Sequence, residues 1–167
     1  MASDRDPVGD DPRARALALW EDGTAALLSG DVEGAVDLFD RSLAVAPTAE
    51  AFTFRGWARS FQGRYDEAIA DCERAIATDP SFGNPYNDIG CYLLERGRAG
   101  EAPAWFEKAK RAERYEPRHF PCLNLGRLLS ARGEVAAAIV EFHEALVWNP
   151  GDSVALAFLE KLRYGVN

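Results

Sequence analysis

The sequence has no uninterrupted apolar run near the roughly 18 to 20 residues that a bilayer-spanning helix requires. Its first stretch, Met1 to Ala16, is acidic and polar where a secretory leader is basic and then apolar, so the expected location is cytoplasmic. Positive charge is in short supply: 19 Lys and Arg face 27 Asp and Glu, a net charge of -8. Phosphate backbones and anionic lipid headgroups repel such a chain, so neither nucleic acid nor a membrane is an expected partner. Only three cysteines occur, Cys72, Cys91 and Cys122, without a CxxC pair or a nearby pair of histidines. That spacing argues against a disulfide framework or a zinc site and for reduced, buried thiols; no metal and no cofactor are expected. The two histidines, His119 and His143, stand in no nucleophile motif, and no phosphate-binding glycine loop is present, so no enzymatic activity is expected.

What the chain does have is globular composition, 47% hydrophobic and 28% charged over 167 residues, and a repeat. Gly23, Gly56, Gly90 and Gly126 recur at spacings of 33, 34 and 36 residues, each followed seven positions later by Gly30, Gly63, Gly97 and Gly133. Five residues on stand Ala35, Ala68, Ala102 and Ala138; four further on, Phe39, Cys72, Phe106 and Phe142. The small residues Ser42, Ala75, Ala109 and Ala145 come next, and Pro47, Pro80 and Pro150 close repeats one, two and four. Repeat three carries its proline, Pro117, three residues late, and the added residues are expected only to lengthen the link to repeat four.

Each column has a physical reading. The first glycine lets two helices approach closely, with the alanine column as the expected matching surface. The second glycine supplies the left-handed backbone that ends a helix, and the proline stops the next one. Apolar spacing within the segments is helical, as in Ala68, Ile69, Cys72, Ala75 and Ile76. In repeat two, Arg55 and Asp71 face one another across the hairpin and are expected to pair.

Repeat two reads Arg55-Gly56-Trp57, Gly63-Arg64-Tyr65-Asp66-Glu67-Ala68 and Ala75-Ile76-Ala77-Thr78-Asp79-Pro80, and it resembles the tetratricopeptide-repeat family. The resemblance covers repeats at about 16–48, 49–82, 83–118 and 119–152. It departs locally: Cys72 replaces a large aromatic, Asp22 and Arg55 replace leucine, and Arg59 replaces tyrosine. It implies an all-α, right-handed solenoid of four helical hairpins forming a single domain over 13–163, with a capping helix at about 153–163 and a flexible acidic tail at 1–12.

In this family the first helices of the hairpins line a concave groove that binds a peptide segment of a partner protein. On the matching columns the groove would present Trp20, Thr24, Leu27, Glu50, Thr53, Phe54, Trp57 and Phe61 from repeats one and two. Repeats three and four would add Asn84, Asn87, Asp88, Cys91, Glu95, Leu123, Asn124 and Arg127. A subset of the family grips a chaperone's terminal carboxylate with two lysines, an arginine and two asparagines. Here those columns hold Trp20, Thr24, Phe54, Asn84 and Asp88 in one frame and Thr53, Trp57, Asp88, Phe120 and Asn124 in the other. With no cation in either frame, the implied ligand is an apolar, neutral-to-basic segment, anchored by Trp20 and Trp57 and hydrogen-bonded by Asn84, Asn87 and Asn124. Two alternatives share the composition: a small acidic secretion-type chaperone, and a self-associating scaffold or homodimer using Trp148 with Phe158, Leu162 and Tyr164.

Overall fold

Glycine at helix ends and proline at helix starts divide the chain into nine helices among the residues described by the structure, a computed structural model that covers 11–163 and 165. These are α1 (Pro12–Leu28), α2 (Val32–Val45), α3 (Ala49–Phe61), α4 (Tyr65–Thr78), α5 (Asn84–Glu95), α6 (Ala102–Arg111), α7 (His119–Ala131), α8 (Val135–Trp148) and α9 (Ser153–Arg163). The only extended pairing among the described residues is an isolated bridge between Phe82 and Arg114. Most of the expected tail, and Tyr164, lie outside the described residues; α1 starts at Pro12, capped by Asp11, whose carboxylate accepts from the Arg13 N–H.

Two compact units result, Met1–Asp79 with α1 to α4 and Pro80–Asn167 with α5 to α9. Within each, consecutive helices pack in chain order. The turn glycines behave as their spacing requires: Gly30, Gly63, Gly97 and Gly133 have φ of 90°, 71°, 72° and 76°. The close-approach glycines have a different partner from the expected one. A Cβ on Gly23, Gly90 or Gly126 would stand 2.8, 2.5 or 2.9 Å from the rings of Phe39, Phe106 and Phe142, so each glycine makes room for an aromatic ring rather than for the alanine column. The alanines are fully buried elsewhere in the same layer. Repeat two has no such ring: Cys72 stands there, and a Cβ on Gly56 would meet the Ala68 carbonyl oxygen at 3.0 Å.

In the first unit the core holds Leu27, Ala35, Phe39 and Ala58, with Trp20, Phe54 and Trp57 packed against it. The second has Cys122, Leu123, Ala138, Phe142, Ala145 and Ala155, with Phe158 and Leu162 of α9 laid on top. Phe158 stacks on Phe142 at 4.9 Å, and both α9 side chains are half-buried against this core. The added residues of repeat three are more than a spacer. Tyr115 is buried against Ala109 and Ala112, and the strand-like exchange of Gly83 N–H to Arg114 O (2.9 Å) and Arg114 N–H to Ser81 O (3.0 Å) ties the loop back to the start of α5.

Candidate functional site

The first unit gathers its aromatic candidates on one face of α1 and α3. Phe54 and Trp57 lie three residues apart and Phe61 four further on, the spacing that aligns side chains on a helix. Trp20 meets Phe54 edge-on at 5.2 Å, Phe54 meets Trp57 edge-on at 5.9 Å, and Trp57 meets Phe61 at 5.6 Å. Phe39 supports the ladder from the core at 6.2 Å from Phe54. Its inner end is half-buried, while Phe61 is 62% exposed, so the ladder passes from core to solvent without a gap.

The polar candidates of this unit divide. Thr53 is buried and its hydroxyl donates to the Ala49 carbonyl at 2.7 Å, which removes it from the available surface. Thr24 donates to the Trp20 carbonyl at 2.9 Å and holds that turn of α1. Glu50 lines a hollow of about 550 Å³ with Arg13, Leu17, Trp20, Pro47 and Thr48. The reading of the sequence missed Arg13 and Leu17 because the repeat columns begin later in α1 than the hollow does.

Amides organise the second unit's face. Asn124 on α7 donates to the Asn87 side-chain oxygen on α5 at 2.9 Å and to the Cys91 sulfur at 3.4 Å; Asn87 in turn donates to Asp88 at 3.4 Å. Burial pushes the Asp88 carboxyl up to about 7, against the opposing effect of the Asn87 hydrogen bond. Burial, with Asp88 adding to it, pushes the Cys91 thiol up to about 12, so this thiol is a packing group and not a nucleophile. Asp88 is therefore a weaker source of negative field than its place in the sequence suggests. Asn84 sits at the start of α5, one turn before Asn87 and Asp88.

Beside the amides lies a groove of about 590 Å³ whose walls include Cys91, Glu95, Asn124, Arg127, Phe158 and Lys161. Phe158 and Lys161 come from α9, which sequence reasoning treated as a cap or a dimer patch and not as part of a peptide groove. The missed signal is its register: the Asp152 carboxylate accepts from the N–H groups of Val154 and Ala155, starting α9 as Thr48 starts α3. Counted from these caps, Phe158 and Lys161 fall in the columns of Phe54 and Trp57. Arg127 and Lys161 make this wall mixed in charge.

Residues 49–82 match the family described as tetratricopeptide repeat. The small glutamine-rich tetratricopeptide repeat-containing protein 2 of Mycosarcoma maydis is 31% identical over 100 residues, 59% of this chain and 28% of that protein. The chain thus spans little more than a quarter of the length of that relative. Among solved structures, that of Pseudomonas aeruginosa pilF superposes with a TM-score of 0.85 at 23% identity, over 93% of this chain and 71% of that one, a likeness of fold. The second repeat domain of Spaghetti (RPAP3), bound to the HSP90 peptide SRMEEVD, gives a TM-score of 0.57 at 25% identity over 60% of this chain and 94% of that one.

Proposed function

We propose that this chain, a tetratricopeptide-repeat protein, is a non-enzymatic interaction module that holds a peptide segment of a partner protein on the faces of its odd-numbered helices. The observation that carries the reading is the aromatic ladder from Trp20 to Phe61, whose rings are rigid, large and partly open to solvent. Such rings bind apolar side chains at little cost in conformational entropy. In the second unit, buried Asn87 fixes the half-buried Asn124, whose side-chain oxygen is offered to the backbone of an extended ligand.

The charge of the ligand follows from the ladder's surroundings. The columns that grip an acidic terminus elsewhere in the family hold no lysine or arginine here, and Glu50 stands beside Trp20. A peptide such as SRMEEVD is a poor fit, and an apolar segment flanked by basic residues is a good one. An array of heptapeptides of graded charge and hydropathy tests this, with the purified chain as probe and SRMEEVD as the acidic reference. Apolar-basic peptides should bind best, Trp57→Ala should weaken them by about 2 kcal/mol, roughly thirtyfold, with the helical spectrum intact, and Glu50→Lys should flatten the dependence on salt. Equal binding by wild type and Trp57→Ala would remove the ladder from the site.

A further inference from the structure

Helix α8 commits both of its acids to one lysine: Glu141, buried, and Glu144, 41% exposed in its side chain, each meet the Lys110 ammonium of α6 at 2.9 Å. Its outer face instead carries Val140, Val147 and Trp148, exposed at 62%, 75% and 53%, beside exposed Ala136, Ala137 and His143. The other hairpins show no such face. The column of Val140 holds Asp37, Ala70 and Ala104, that of His143 holds Asp40, Glu73 and Glu107, and that of Val147 holds Ala44, Ala77 and Arg111, so none exposes a large apolar side chain there. Exposed Arg41, Arg74 and Lys108 fill the column that Glu144 vacates by turning to Lys110. A helix whose acids are both paired to one lysine and whose valines are exposed is patterned for burial on its outer side.

We propose that the outer face of α8 is an interface with a second copy of this chain. Charge argues for this occupant: two copies at -8 each repel wherever acidic faces meet, and the stripe of Ala136, Val140, His143 and Val147 brings no formal charge at neutral pH. The pattern is also self-complementary. Val140 and Val147 lie two turns apart on one face with His143 between them, so antiparallel pairing about a two-fold axis sets each Val140 on Val147 of the second copy and brings the two His143 side chains near the axis. Ala136 at the end of the strip lets the helices approach closely. This interface lies on α8 and does not depend on the peptide faces.

Sedimentation equilibrium of the full chain from about 1 to 500 µM tests it. A single-helix strip is smaller than the roughly 800 Å² per partner of a standard interface, so a reversible dimer with Kd in the range of about 10 to 100 µM is expected. Val147→Glu should be monomeric throughout with unchanged helicity and melting, because the side chain is exposed, whereas Asp37→Ala on α2 should dimerise as the wild type does. In a second measurement, mild oxidation of His143→Cys should give a covalent dimer; Cys72 and Cys122 are buried and Cys91 is suppressed, so the native thiols do not compete. A wild type that stays monomeric at 500 µM, undiminished dimer in Val147→Glu, or no cross-link through His143→Cys would each overturn the proposal.

Discussion

The two units each bury a carboxylate in the same column, the residue before the Phe39, Cys72, Phe106 and Phe142 column, and they neutralise it in opposite ways. Asp71 in the first unit has a fully buried side chain and is surrounded by arginines: Arg55 donates through Nε at 2.9 Å and through a second nitrogen at 2.5 Å, Arg59 at 2.7 Å and Arg74 at 3.2 Å. Asp40 accepts a further bond from Arg55 at 2.5 Å. Burial works against the Arg55 charge, but the bonds to Asp71 and Asp40 outweigh it and hold the guanidinium above its ordinary range. Glu141 in the second unit has the reverse arrangement, sharing one cation, Lys110, with Glu144 and Glu107. Burial raises the Glu141 carboxyl despite Lys110, and Lys110 is itself held above the ordinary lysine range, its desolvation outweighed by bonds to Glu144 and Glu141. One cluster has cations to spare and the other has anions to spare. The difference matters because a carboxylate can shed its charge by taking a proton, while a guanidinium stays charged at any pH a protein meets.

The largest effect should come from removing the anion of the first cluster. Asp71→Asn leaves Arg55, only 10% exposed in its side chain, and Arg59 facing one another with Asp40 beside Arg55 and Glu67 at 4.0 Å from Arg59, at a cost of about 3 kcal/mol. The loss should be nearly constant from pH 5 to 8 because the arginines cannot neutralise. Arg55→Met together with Asp71→Asn should cost less than Asp71→Asn alone, and the coupling is measured by urea melts of the four-member cycle of wild type, the two singles and this double. Additive losses would show that the pair is not the source of the stability.

Next in size is the removal of the cation from the second cluster. Lys110→Met leaves Glu141 and Glu144 facing one another with Glu107 near, and at pH 7 it should cost about 2 kcal/mol. Here the deficit must depend on pH. Glu141 lies above its unfolded value already, and losing Lys110 raises it further; the folded variant therefore binds a proton that the unfolded chain has released, and stability falls as pH rises. The deficit relative to wild type should shrink toward pH 5 and grow toward pH 8. A flat profile would make the two clusters alike and dissolve the comparison.

How much of this was legible in the sequence follows from the range of each interaction. The hairpin turns, the helices and the Arg55–Asp71 pair all lie within one repeat, where column spacing fixes geometry, and the structure agrees with the reading of them. The Lys110–Glu141 pair spans 31 residues between consecutive hairpins, and its register depends on how one helix pair rotates against the next, which residue spacing does not encode. The aromatic partners of the glycine column were hidden for a related reason: the alanine column is nearer in sequence and equally regular, but the ring is what reaches the gap. Trp20, Phe54, Trp57 and Phe61 were read as one face from the family's repeat columns together with helical period, and they stand ring to ring. Burial of Thr53 and desolvation of half-buried Asp88 on that same period were not readable, because amphipathic spacing gives a side chain's direction and not the depth of the neighbouring helix.

Asp88 supplies the smallest and most diagnostic test, since it is a third desolvated carboxyl, half-buried and met by an amide rather than by a cation. Asn87 donates to it at 3.4 Å, a weak bond, and burial pushes its carboxyl up to about 7. A carboxyl near 4 in the unfolded chain and near 7 in the folded one makes the folded state the better proton acceptor between those values. Stability from this group is therefore present below about pH 4 and is lost progressively as pH rises to about 7. Asp88→Asn keeps the shape and removes the titration. It should stabilise the protein by about 1 kcal/mol at pH 8, with the gain shrinking toward zero by pH 4, the same direction of pH dependence as in Lys110→Met but opposite in its effect on stability. Thermal melts of wild type and variant at pH 5 and 8 separate the outcomes. If Asp88→Asn destabilises equally at both, the ionised carboxylate has a partner that the Asn87 amide does not account for, and the ordering of the three desolvated carboxyls by their counterions fails.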